Sequence, residues 1–126
     1  MVCLDSDILI DFLNNKKEAV KRIDKLRKEN ISLSITSINS FELLNIASQE
    51  KIEKIRNFLF SFDIYNFDFE SSSKAAQIFQ ELKSNGKMLD LADVMIAATV
   101  ISNDETLLTG NIKHFERIKE LKLEKE

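Results

Sequence analysis

Leu89-Asp90-Leu91-Ala92-Asp93-Val94-Met95-Ile96-Ala97-Ala98-Thr99 places two aspartates at the head of the most apolar helical stretch in the chain. Val100 and Ile101 extend the run, so apolar side chains cover nearly the whole circumference of the helix it predicts. A helix that is apolar all round is buried. A carboxylate at its head must be hydrogen-bonded, paired or bound to a cation, because an unpaired buried charge is prohibitively costly.

Working outward, Ala75, Ile78, Phe79 and Leu82 form one face of a preceding amphipathic helix, with Ser71 to Ser73 as expected caps and a stop near Gly86. On the other side, Glu105 to Leu108 reads as a strand ending on Thr109-Gly110-Asn111. A short helical turn around His114 to Ile118 and a weak edge strand at Leu121 to Leu123 complete that end. Toward the start of the chain, strands are expected at Met1 to Leu4, Ile31 to Thr36 and Asp63 to Phe67. Helical patterns separate them at Ile8 to Leu13, Lys16 to Glu29, Ser37 to Ser48 and Glu50 to Ser61. Strands alternating with helices indicate an α/β fold, with a central, mainly parallel sheet of four or five strands flanked by helices. One domain spanning 1-126 is expected, since that length suffices for a single core.

Composition narrows the function class. No apolar run approaches the roughly 20 residues that span a bilayer, and the first residues lack the basic segment of a secretory signal. A cytoplasmic protein is expected, and the single Cys3, set in an apolar strand, suits a reducing compartment as a small core residue. The net charge of -3 neither favours nor excludes nucleic acid, because local distribution matters more than the total. The basic residues of Lys16 to Lys28 read first as a solvated helix face.

Three acids occupy equivalent places: Asp5 just after the first strand, Glu42 in the helix after the second, and Asp93 in the helix before the fourth. In open α/β sheets, sites form beyond the carboxyl ends of the strands, and right-handed connections bring these positions together. Converging carboxylates repel and take up protons unless a cation compensates. A hard divalent ion with oxygen ligands is the natural solution. Each acid also has a capping explanation: Asp5 to Asp7 for the first helix, Asn39 with Glu42 as a capping box, Asp90 with Asp93 for the buried helix. Yet Asp7 or Ser6 would cap the first helix as well as Asp5, and Asp90 alone would cap the buried one. The surplus carboxylates are what need explaining.

Four segments in order carry a family resemblance: Val2-Cys3-Leu4-Asp5-Ser6-Asp7-Ile8-Leu9, Ser34-Ile35-Thr36 leading to Phe41-Glu42-Leu43, Asp93-Val94-Met95-Ile96-Ala97-Ala98-Thr99, and Leu107-Leu108-Thr109-Gly110-Asn111 with His114-Phe115. Over essentially its full length the chain resembles PIN-domain ribonucleases of the VapC type, the toxins of type II toxin-antitoxin systems. The resemblance implies a PIN-like fold and a Mg²⁺- or Mn²⁺-dependent endoribonuclease acting on RNA phosphodiester bonds. It implies Asp5, Glu42, Asp93 and Asn111 as catalytic positions, with Asp5 and Asp93 as principal metal ligands and Glu42 completing the set. Asn111 falls where members carry aspartate or asparagine, and His114 where many have a further aspartate. Asp90, one turn before Asp93, could make up the missing charge. Thr36, Ser6 and Thr109 are expected to support the ligands, and Lys113, Arg117 and Lys87 are candidates for holding the RNA backbone. The resemblance further implies a homodimer, and a cognate antitoxin lying in an apolar groove near Phe12, Phe58 and Phe60.

Two rivals remain at this stage. A PIN-like module with a weakened fourth position would bind RNA or protein without cleaving. A haloacid-dehalogenase-like phosphatase would use Asp5 as nucleophile and Asp7 as acid-base, although Ile8-Leu9-Ile10 begins a helix where such loops continue with a flexible pair.

Overall fold

The computed structural model describes residues 1–124; Lys125 and Glu126, the last two positions of the expected domain, lie outside the described residues. Five strands form its sheet: β1 (Val2–Leu4), β2 (Leu33–Thr36), β3 (Asp63–Tyr65), β4 (Thr106–Leu108) and β5 (Lys122–Leu123). Their order is β3-β2-β1-β4-β5, and every neighbouring pair is parallel. The weak strand at the chain end is an edge strand, as its pattern suggested.

Helices cover both faces, which is why β1 and the Leu107-Leu108 end of β4 are apolar without interruption and β2 buries both Ile35 and Ser34. Along β1, Val2 and Leu4 join one cluster and Cys3 the other, following the period of two. The first layer comprises α1 (Ser6–Leu13), α2 (Lys17–Lys28), α3 (Ser37–Ile46) and α4 (Ile52–Leu59), which bury Leu9, Ile23, Leu43 and Leu59 over Leu4, Ile35 and Leu108. The second comprises α5 (Phe69–Ser84), α6 (Leu91–Ser102) and α7 (Ile112–Phe115), with Ile78, Ile96, Val100 and Phe115 over Cys3 and Leu107. In α6, Val94, Ile96, Ala97, Ala98 and Val100 have no exposed surface. Each large aliphatic side chain buried there contributes roughly 1.5–3 kcal/mol. Cys3 is equally enclosed, and burial pushes its thiol up to about 12, which makes it an inert core residue.

With so few glycines, helix ends are closed by polar residues. Asn15, Asn30 and Asp104 take the left-handed conformation that glycine usually supplies, alongside Gly86. At each, two backbone bonds close the last turn; after α6, for example, Asp104 N donates to Ile101 O and Glu105 N to Val100 O. At the N-termini the caps differ from expectation. Asp68 rather than Ser71 to Ser73 caps α5, accepting from Ser71 N at 2.9 Å, a bond that lowers its pKa. Thr36 caps α3 with Asn39 as its capping-box partner, one turn earlier than an Asn39–Glu42 box. Asp90 holds the cap position of α6 in backbone conformation but makes no side-chain capping bond.

Topology decides where a site can form. From β1 the chain steps outward to β2 and β3, then returns to lay β4 and β5 on the opposite side. Helices following β1 and β4 therefore leave toward opposite faces, and a crevice opens between the carboxyl ends of those two strands. Asp5 follows β1 and Thr109 follows β4.

Candidate active site

Asp5 lies at the centre of the crevice, 6% exposed. Its backbone N–H donates to Leu108 O at 2.9 Å, tying the end of β1 to β4. Oδ1 accepts from Ser6 N at 2.9 Å and Oδ2 from the Thr109 hydroxyl at 2.7 Å. Asp5 is thus itself the N-cap of α1. Thr109 in turn accepts from Asn111 N at 3.0 Å, so its single hydroxyl proton is directed onto the carboxylate.

Glu42, half-buried on α3, receives the Ser6 hydroxyl on Oε1 at 2.6 Å. Ser6 Oγ accepts from Asn39 Nδ2 at 2.9 Å. Asn39 Oδ1 accepts both the backbone N–H of Thr36 at 2.9 Å and its hydroxyl at 2.8 Å. Ser6, Thr36 and Thr109, the three residues expected to support the acids, all lie in this hydrogen-bonded rim.

Asp93 occupies the first turn of α6, partly exposed above fully buried Ala97. No side chain donates a hydrogen bond to it among the described residues. Asp90, one turn before, is exposed. On the remaining side, Asn111 precedes α7, and its side-chain Nδ2 is hydrogen-bonded to His114 Nδ1 at 2.8 Å.

The electrostatics show that these acids share one space. Burial pushes Asp5 up to about 7, and the negative charges of Asp7 and Asp93 add to the shift. Burial also raises Asp93, reinforced by Asp90, Glu42 and Asp7 and opposed by His114. All the donor atoms are hard carboxylate oxygens whose charge the protein leaves uncompensated, a set that fits a divalent cation. Among the described residues no three metal-ligating side chains already close on a single point. They border the crevice with room between them.

Asp7 joins this group, although its sequence position suggested an alternative cap or, in the phosphatase reading, an acid-base, and not a member of this site. Its Oδ1 accepts from Ile8 N at 2.8 Å and its Oδ2 from Gly110 N at 3.0 Å. Burial raises its pKa despite these bonds. A Cβ at position 110 would stand 2.7 Å from Asp7 Oδ2, so glycine there allows the contact. Asn39 is the second unforeseen member; its spacing from Thr36 fits a capping box, but nothing local points to Ser6. Of the three basic candidates, Arg117 donates to Met88 O at 3.0 Å and so ties the turn after α7 to the loop before α6. Lys87 and Lys113 are exposed.

Comparison with known proteins agrees with this fold. A family model described as PIN domain matches residues 2–121. Ribonuclease VapC1 of Methanocaldococcus jannaschii is 34% identical over 123 residues, covering 97% of this chain and 84% of the relative. The tRNA(fMet)-specific endonuclease VapC of Salmonella typhimurium is 25% identical over 126 residues, covering 96% of this chain and 94% of that one. Among solved structures, VapBC2 from Rickettsia felis bound to a DNA fragment from their promoter aligns with a TM-score of 0.85 at 27% identity, over 98% of each chain.

Proposed function

The chain belongs to the PIN-domain family, and from that premise we propose that it is a divalent-metal-dependent endoribonuclease, the toxin of a toxin-antitoxin pair. One observation carries the proposal: Asp5, buried at the switch point of a parallel sheet and held by two hydrogen bonds, has its pKa raised to about 7 in a crevice that it shares with other acids. Charge concentrated this way is costly for an empty protein and favourable for one that captures Mg²⁺ or Mn²⁺.

Asp5 and Asp93 would hold the ion, with Glu42 and exposed Asp90 within the same field of charge. When bound, the metal would supply Lewis acidity toward the phosphodiester and make a coordinated water more acidic. The protein contributes orientation. Ser6 and Thr109 fix one oxygen each of Glu42 and Asp5, so neither carboxylate swings away as the cleft fills. Glu42 Oε2, without a hydrogen-bond partner among the described residues, would orient the attacking water and take its proton. The water oxygen then forms the new bond to phosphorus as the bond to the departing oxygen breaks. Asn111, whose amide is engaged by His114, would border the site as a neutral group. Lys87 and Lys113 would meet RNA phosphates as point charges.

A cytoplasmic location follows from an RNA substrate, and no helix of the described residues is long and apolar enough to cross a membrane. The antitoxin would cover the apolar surface of α1, α3 and α4. There Phe60 is 70%, Phe41 64% and Ile46 67% exposed, and Phe12 stacks on Phe58 with centroids 5.9 Å apart. A homodimer would cover further apolar surface.

A second reading is favoured by Asn111 and by the open spacing of the acids: a PIN-like module that binds RNA or protein without cleaving it. The phosphatase alternative is not retained, since the family model that matches residues 2–121 is that of a PIN domain. The deciding experiment is cleavage of RNA by the purified protein with Mn²⁺ and with EDTA, for wild type and Asp93→Asn. Metal-dependent cleavage lost in the variant supports the nuclease; cleavage persisting in Asp93→Asn, or absent from the wild type, overturns it.

A further inference from the structure

We infer that Asn39 is a positioning residue for the carboxylate pair: through Ser6 it directs a hydroxyl proton onto Glu42 and couples the setting of Glu42 to that of Asp5. The inference rests on the nuclease reading of the same site.

Asn39 is fully buried, and its amide orientation is determined by its partners. The backbone N–H of Thr36 can only donate, so the amide end facing it is the oxygen, and the end facing Ser6 is the NH₂ group. A hydroxyl has one proton. With Asn39 Nδ2 donating to Ser6 Oγ at 2.9 Å, the Ser6 proton is free to go to Glu42 Oε1, and the 2.6 Å separation is that of a short, charge-assisted bond. The direction of the whole chain, from Thr36 through Asn39 and Ser6 to Glu42, is therefore set by a backbone group at the end of β2.

Helix capping does not explain this arrangement. A capping box needs a side-chain acceptor at N3 for the cap residue's N–H, and Asn39 Oδ1 meets that need alone. The NH₂ group is the surplus, and it reaches 33 residues back in sequence to the turn that carries Asp5. Ser6 serves both acids at once, with its N–H on Asp5 Oδ1 and its O–H on Glu42 Oε1. Glu42 stands on the partly exposed face of α3, where a free glutamate would sample several rotamers; the relay removes that freedom.

The test is a double-mutant cycle on Asn39 and Ser6, read by kcat and KM for RNA cleavage, by Mn²⁺ affinity from electron paramagnetic resonance, and by thermal unfolding. Asn39→Asp keeps the acceptor for Thr36 and replaces the donor facing Ser6 with a second acceptor, drawing the hydroxyl proton away from Glu42. Asn39→Leu removes both functions and covers the case in which a buried aspartate takes up a proton and still donates. Ser6→Ala removes the relay, and Ser6→Thr preserves it. We expect Asn39→Leu and Ser6→Ala each to lower kcat or Mn²⁺ affinity by about 10- to 100-fold, with KM little changed. The double variant should be no worse than Ser6→Ala, and Ser6→Thr should remain close to wild type. Multiplying losses in the double variant, or an effect of Asn39 confined to the unfolding temperature, would leave Asn39 as a helix cap only. A wild type that neither cleaves RNA nor binds Mn²⁺ overturns the nuclease reading and the relay together.

Discussion

The two halves of the acidic crevice are built differently. On the β1 side, Asp5 and Glu42 each receive a hydroxyl whose own oxygen is pinned by an N–H, so their carboxylates are set before anything binds. On the α6 side, Asp93 and Asp90 receive no side-chain hydrogen bond among the described residues, and Asn111 is turned to His114. One half is rigid and costs stability through its buried charge; the other is held only by the helix that carries it. The rigid half supplies preorganisation, and the other leaves ligands free to close onto a cation. Functional loss and folding loss should therefore separate across the crevice.

The largest effect tests that separation. Asp93→Asn should abolish Mn²⁺-dependent RNA cleavage and leave thermal unfolding of the metal-free protein unchanged or slightly raised, because the variant removes a charge that burial and Asp90 already disfavour and breaks no side-chain bond. A large fall in unfolding temperature would show that the α6 half is structural after all. Next comes Thr109→Val, on the rigid side. It strips Asp5 of a buried donor and leaves Asn111 N without its acceptor. Metal affinity should fall about 10- to 100-fold, and the fold should lose about 1–3 kcal/mol from the groups left unsatisfied, measured by denaturant unfolding. Cleavage lost with stability intact would place both halves in one class.

The same contrast bears on what the chain reveals before folding. The α6 half was legible because a carboxylate at the head of an all-apolar helix is anomalous in sequence alone, and Asp93 is where that anomaly sits. Asp5, Glu42 and the alternation of strands and helices were legible for a similar reason, since position after a strand is a sequence property. The wiring of the rigid half was not. Asn39 looked like part of a local cap, and its second bond, to Ser6, joins positions 33 residues apart. Asp7 meets Gly110 across 103 residues, a contact that only the parallel pairing of β1 and β4 creates. Helix ends were legible from the change of pattern alone: α1 stops at Leu13 as expected and α2 at Lys28, one residue before the expected Glu29, although Asn15 and Asn30 fill the left-handed positions with no glycine to mark them.

A smaller effect, confined to stability, follows from the charge of the rigid half. An unfolded aspartate titrates near pH 3.9, whereas Asp5 in the fold is pushed up to about 7, by burial first and then by Asp7. The folded state therefore binds the proton more tightly. Its stabilising contribution is complete below about pH 4 and is lost as pH rises through 7. Metal-free protein should accordingly become less stable from pH 4 to pH 8, and Mn²⁺ should restore stability at the alkaline end. Asp5→Asn should flatten the profile while leaving no metal-dependent cleavage. An unchanged pH profile in the variant would mean that the strain lies on Asp7 or Asp93 instead.

The smallest effect is the most specific to the α6 half. Asn111→Asp adds a carboxylate where the crevice is least acidic, and Coulomb attraction alone would tighten Mn²⁺ binding. The gain should nevertheless be slight. Asn111 Nδ2 now donates to His114 Nδ1 at 2.8 Å; an aspartate can only accept, so the bond survives once the imidazole carries its proton on Nδ1, a shift between ring nitrogens that adds no charge. The carboxylate oxygen that takes this proton is then drawn away from the cation. His114→Ala in the same background removes that competing donor, and the pair of substitutions should bind Mn²⁺ more tightly than Asn111→Asp alone, as measured by calorimetric titration. Equal affinities would show that His114 does not hold the new carboxylate, and a full gain from Asn111→Asp alone would show that the α6 half was limited only by its missing charge.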